Sequence, residues 1–132
     1  MRVLILFLVG LFVGAAGTAV LIQSLNRGTS YPRGVMSVMG HQMKAMNASI
    51  KQNRCAASDI APRLQTIRLV ANDIEVAFDD MQGDAQFTRY AGALRAAADG
   101  PLATPLTTCA ATQTALNKID QSCDNCHRDF KD

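Results

Sequence analysis

The sequence predicts an all-α protein, an antiparallel up-down-up-down four-helix bundle preceded by an N-terminal apolar helix. Three observations carry that prediction. Four segments repeat apolar residues at helical spacing, with short breaks between them. No segment alternates apolar and polar residues as a strand would. Aromatic residues are only 5%, with no Trp, whereas Ala, Met and Leu are plentiful, which favours helices over a sandwich or barrel. The chain of 132 residues holds one domain beyond its N-terminal segment.

Residues 1–22 form the first unit. After Arg2 comes an uncharged run from Val3 to Ile22. Twenty residues at about 1.5 Å each span about 30 Å, the thickness of a bilayer core. A cleaved signal peptide carries a shorter apolar region, of about 7–15 residues. Gly17-Thr18-Ala19 is nevertheless an acceptable small-residue cleavage site, so a retained signal anchor and a cleaved signal peptide both stand. Either one exports the rest of the chain, to the periplasm of a bacterium, where oxidising conditions permit disulfides. Residues 23–30 (QSLNRGTS) read as a polar linker, and residues 31–132 as the bundle domain. Without Arg2, 12 of the 13 Lys and Arg face 11 Asp and Glu. That balance excludes the basic footprint of a nucleic-acid-binding protein.

The first bundle helix is expected over 32–53. Met36, Met39, Met43, Met46 and Ile50 follow a 3-4-3-4 spacing, and Pro32 suits a first turn. The second is expected over 59–81, with Ser58 as N-cap, Pro62 near the start, and Ile60, Leu64, Ile67, Ala71, Ile74, Phe78 and Met81 inward. Gly83 breaks the chain. Asp84 caps a third helix running to Ala98, with Phe87, Ala91, Leu94 and Ala98 inward, stopped by Asp99-Gly100-Pro101. The fourth is expected from Pro105 to Lys131, with Cys109, Thr112, Leu116, Ile119, Cys123, Cys126 and Phe130 as its stripe. Short connections between such helices give the antiparallel bundle.

The chemistry lies at the carboxyl end. Cys123-Asp124-Asn125-Cys126-His127 is C-x-x-C-H, the attachment pattern of a c-type haem. Two thiols three residues apart share a helix face and reach the two vinyl groups of one porphyrin. His127 then places an imidazole beneath the iron as proximal ligand. A zinc site needs about four ligands, and the only other histidine is His41. A thioredoxin-like C-x-x-C follows a strand, and no strand is predicted.

A helical bundle ending in this motif resembles the class II cytochromes c, the cytochrome c prime group. Cys126-His127-Arg128-Asp129-Phe130-Lys131 is similar to the family's C-H-x-x-aromatic-basic ending, and Tyr31 to His41 (YPRGVMSVMGH) resembles its first helix. The resemblance covers residues 30–132. It implies one covalent haem c and an electron carrier rather than an enzyme. It also places Met36 at the distal face of the iron. In the low-spin branch a Met there ligates iron. In the gas-binding branch an apolar residue stands beside a five-coordinate iron open to NO or CO. A Met stripe at heptad spacing is also ordinary core. His41, about 140° around the helix from Met36, belongs on a flank. The family places Arg directly after the Tyr, near a haem propionate. Pro32 stands there in this chain, so Arg33 is the candidate propionate contact, displaced about 100° around the helix.

With Met36 and His127 bracketing the iron on antiparallel neighbours, Cys55 lies about 28 Å along from Met36 and Cys109 about 27 Å from His127. The two are expected to form a disulfide at the far end of the bundle. The implied partners are redox proteins docking near the haem edge, with Arg128, Lys131 and Arg33 as candidate contacts, and the membrane through the N-terminal helix. A homodimer is common in the family. A small subunit of a membrane oxidoreductase is a third reading. Asp79-Asp80 does not read as an acid–base pair, because adjacent helix residues diverge. Lys44, Lys51 and Arg54 read as a solvated face.

Overall fold

The structure, a computed structural model, describes residues 2–28 and 31–130, with side chains over 7–23 and 31–130. All of its regular structure is helical: α1 (Arg2–Gly28), α2 (Tyr31–Lys51), α3 (Ala57–Val70), the single turn α4 (Ile74–Ala77), α5 (Ala85–Ala103) and α6 (Cys109–Phe130). No strand occurs among the described residues.

Helix α1 runs through most of the stretch expected as a linker, since nothing from Gln23 to Arg27 interrupts a helix already nucleated. Its side chains from Phe7 to Gln23 are exposed, Phe12 at 76%. The N-terminal transmembrane helix expected from the sequence is not found. Among the described residues no helix is long and apolar enough to cross a membrane. The run expected to span begins at Val3, and its described side chains begin at Phe7.

The other helices pack as a bundle in which α2 adjoins α3 and α6, and α5 adjoins α3 and α6. Cross-bundle contacts set the directions. Arg63 near the start of α3 donates to Gln42 Oε1 in the second half of α2, at 3.3 Å. Phe87 at the start of α5 meets Phe130 at the end of α6, edge-on at 5.4 Å. Each pair therefore runs antiparallel. The centre is filled by Met46, Ile60, Leu64, Ile67, Leu116 and Ile119, all under 2% exposed. Phe87, Ala91, Leu94 and Ala98 form the inward seam of α5, as the spacing predicts. Its alanines let the neighbouring helices approach closely. On α2 the buried face is Val35, Met39 and Met46, while Met36, Met43 and Ile50 are half-buried.

The helix ends show which local signals win. Asp84 caps α5, its Oδ1 accepting from Gln86 N at 2.7 Å and Phe87 N at 2.9 Å. Asn53, at φ 55°, closes α2 in the left-handed conformation, with Asn53 N bonded to Ile50 O and Arg54 N to Ser49 O. Gly83 turns the chain into α5 at φ 91°. Other ends differ from expectation. Ala56, not Ser58, occupies the N-cap of α3, so Pro62 lies inside the helix rather than near its first residues. Helix α5 continues through Gly100-Pro101 to Ala103, where half-buried Leu102 packs on the core and offsets the missing proline N–H. Helix α6 begins at Cys109, capped by Thr108 Oγ1 accepting from Ala111 N.

The helix expected over 59–81 is broken. After Val70 come a 3₁₀ turn (Ala71–Asp73), α4, a non-helical Phe78 and a second 3₁₀ turn (Asp79–Met81). Arg95 of α5 braces the first break, donating to Ala71 O at 3.1 Å and to both carboxylate oxygens of Glu75 at 2.8 Å. The guanidinium holds the Glu75 carboxyl below its ordinary value of 4.5. The stability this pair contributes is therefore full above pH 4.5 and is lost as the pH falls through the lower folded-state value. Glu75→Gln is expected to cost about 1–2 kcal/mol at neutral pH and progressively less in acid, read by denaturant melts across pH.

Cys55, just beyond α2, and Cys109, at the start of α6, stand at disulfide distance with Cα atoms 5.1 Å apart. The pair closes a loop of 54 residues. Replacing both cysteines by Ser is expected to lower stability by about 4 kcal/mol on the chain-entropy argument. Alkylation of the unreduced, unfolded chain is expected to leave both sulfurs unmodified, and labelling of either excludes the bond.

Candidate functional site

At the opposite end from that pair, α2, α5 and α6 enclose a cavity of about 310 Å³, floored by Ile67 and Ile74. Its volume lies at the lower end of the range for cofactor pockets, about 300–1,000 Å³. The α2 wall is Met36, Met39, Gly40, Met43, Lys44 and Asn47. The α5 wall is Tyr90, Ala91 and Leu94. The α6 wall runs from Ile119 to His127 and includes Asp120, Cys123, Asp124 and Cys126. Met36, Cys123, Cys126 and His127, four residues singled out in the sequence, thus line one space.

The α6 geometry follows from helical repeat. Cys126 lies three residues after Cys123 and His127 four, so all three fall within about 60° of one direction. The last turns of α6 are tied to α5. Asp129 Oδ2 accepts from Tyr90 Oη at 2.6 Å and from Gln86 Nε2 at 2.7 Å. Phe130 lies edge-on to Phe87 and to Tyr90, with ring centroids 5.4 and 6.1 Å away. These contacts set the rotation of the segment that carries the motif.

Cys123 and Cys126 are half-buried free thiols. Burial, then the carboxylates of Asp120 and Asp124, pushes the Cys123 thiol up to about 11. Burial, then Asp129, raises Cys126 as well. Both stay protonated at neutral pH. A redox-active C-x-x-C needs a lowered thiol pKa, typically at a helix N-terminus. This pair sits towards the C-terminal end of α6, where the helix dipole opposes a thiolate. Among the described residues no three His, Cys, Asp or Glu side chains are grouped to hold a metal ion. His41 is exposed and does not line the cavity, so the zinc reading loses its only further histidine. A largely apolar space with two protonated thiols and an imidazole on one wall and a thioether opposite suits a covalently held porphyrin.

Arg33 does not join this group. It is exposed near the start of α2 and does not line the cavity. Lys44 is exposed, as expected of a solvated face, and also lines the cavity. Height along α2, not rotation, separates the two. Both lie within about 80° of Met36, but Lys44 is two turns further into the bundle and Arg33 stands at the very start of the helix. Tyr90 and Asp129 gave no sequence signal as a pair, being 39 residues apart. No protein-family model matches the chain, and no curated protein or solved structure is significantly similar to it.

The Tyr90 hydroxyl holds the Asp129 carboxyl below its ordinary value of 3.8. Tyr90→Phe is expected to move the Asp129 titration upwards, measured by carboxyl carbon NMR. It is also expected to speed amide exchange in the last turn of α6. An unmoved titration excludes the hydrogen bond.

Proposed function

We propose that this chain is a monohaem c-type cytochrome, a one-electron carrier whose haem c is bound covalently through Cys123 and Cys126. The observation that carries the reading is the meeting of Cys123, Cys126 and His127 of α6 with Met36 of α2 around one largely apolar cavity. When bound, haem supplies the one-electron iron couple. The chain supplies its attachment, its axial groups and its shielding from water. Cys123 and Cys126 would hold the porphyrin as thioethers, and His127 and Met36 would supply the iron's ligands. A thioether ligand would raise the reduction potential and keep a gas from binding. Ile67, Ile74, Leu94 and Ile119 keep the surroundings apolar, which limits solvent reorganisation around the couple.

In the same reading, residues 3–22 direct export of the domain. Redox proteins dock transiently near the cavity mouth, where Arg128 is exposed. Arg33 is exposed on the same end of the bundle, and Lys131 lies outside the described residues. A homodimer follows only from the family resemblance. The five-coordinate, gas-binding reading draws on one observation: Met36 shares its cavity wall with Met39 and Met43, and Met39 is buried in the core, so the stripe also serves packing.

Expression in a host that attaches haem c decides between them. The expected product carries one covalent haem by mass and gives a low-spin spectrum that carbon monoxide does not change on reduction. Met36→Ala is expected to turn it high-spin and CO-reactive, and Cys123→Ala with Cys126→Ala to abolish covalent haem. A wild-type protein already high-spin and CO-reactive favours gas binding. One without covalent haem excludes both readings.

A further inference from the structure

We infer that Lys44, rather than Arg33, pairs with the propionate edge of the haem, and that this pairing sets the orientation of the porphyrin in the cavity. The inference rests on the cytochrome reading and concerns which part of the chain meets the two haem carboxylates. In a porphyrin of this kind the vinyl groups and the propionates occupy opposite edges. Thioethers at Cys123 and Cys126 would hold the vinyl edge against α6 and leave the propionate edge to the walls away from those cysteines.

The remaining walls differ in what they offer an anion. Ile67 and Ile74 offer nothing polar. On α5, Ala91 and Leu94 are apolar, and the Tyr90 hydroxyl already donates to Asp129. On α2 the lining residues include Lys44, the only Lys or Arg among the described residues that lines the cavity, and Asn47 one turn further on. Asn47 Nδ2 donates to Met43 O at 3.1 Å and keeps its second N–H. Lys44 makes no ion pair with the described carboxylates. Four residues before it is Gly40, where an added Cβ would meet nothing within 4 Å. The α6 rim carries Asp120 and Asp124, which repel a propionate from that side. The rim is therefore polarised, cationic on α2 and anionic on α6. The other titratable groups facing it are Tyr90, His127 and the two attached cysteines.

The test compares the haem-loaded wild type with Lys44→Gln, Lys44→Arg and Arg33→Gln. Haem content is read by mass, and the reduction potential is followed across pH. Loss of a cation beside a carboxylate raises its pKa by about one unit or more. Lys44→Gln is expected to move the propionate-linked inflection of the potential–pH curve upwards by about one pH unit at unchanged haem content. Lys44→Arg is expected to restore the wild-type curve, and Arg33→Gln to leave it in place. A Lys44→Gln curve superposable on wild type overturns the inference, as does an upward shift confined to Arg33→Gln. A wild-type chain without covalent haem overturns the cytochrome reading and this inference together, a result distinct from a loaded protein indifferent to Lys44.

Discussion

The antiparallel register between α2 and α6 is the constraint on which the site depends. Helix α6 brings Cys123, Cys126 and His127 to one end of the bundle, and α2 brings Met36 to the same end only because the two helices run in opposite directions. Cys55 and Cys109 fix that register at the far end. A one-residue slip of α6 against α2 turns its side chains by about 100° relative to the facing wall and takes the motif away from the cavity. Buried Leu116 and Ile119 resist such a slip along the middle of the helix, and the Asp129 bonds to Tyr90 and Gln86 resist it at the end. Site and fold are thus held by the same contacts.

Much of this was legible because it is periodic. The α5 seam of Phe87, Ala91, Leu94 and Ala98 follows from spacing alone, and Asp84 from its position before the seam. The meeting of Cys55 and Cys109 followed from counting residues along two helices of equal rise. The starting point of that count, Met36 facing His127, came from the family resemblance. On α2 the same spacing blurred two roles. Val35 and Met46 belong to the core, whereas Met36 and Met43 also line the cavity, and a row of methionines does not separate them. Ala115 joins the buried face of α6 although its small side chain adds little to an apolar stripe.

What was not legible depends on tertiary contact. The break after Val70 carries no glycine or proline to announce it. It is matched by Arg95, which satisfies the Ala71 carbonyl from another helix. The run of α5 through Pro101 reflects Leu102 finding the core, a contact invisible to local propensity. Ser58 is a better cap than Ala56 by residue type, yet the chain leaves the Cys55 contact already placed to enter α3 at Ala57. Lys44 is on the surface, as its charge implied. Its place on the cavity rim needs the opposing walls.

The ends of the bundle are unequal in their freedom. Gly28 closes α1 and Tyr31 opens α2, so three Cα-to-Cα steps join them, at most about 11 Å whatever path they take. Met36 is only five residues further, about 8 Å of helix. The mouth of the cavity is on a short leash, while the Cys55–Cys109 end lies most of a bundle length beyond it. Whatever contacts α1 makes, the cavity lies within a short tether of them.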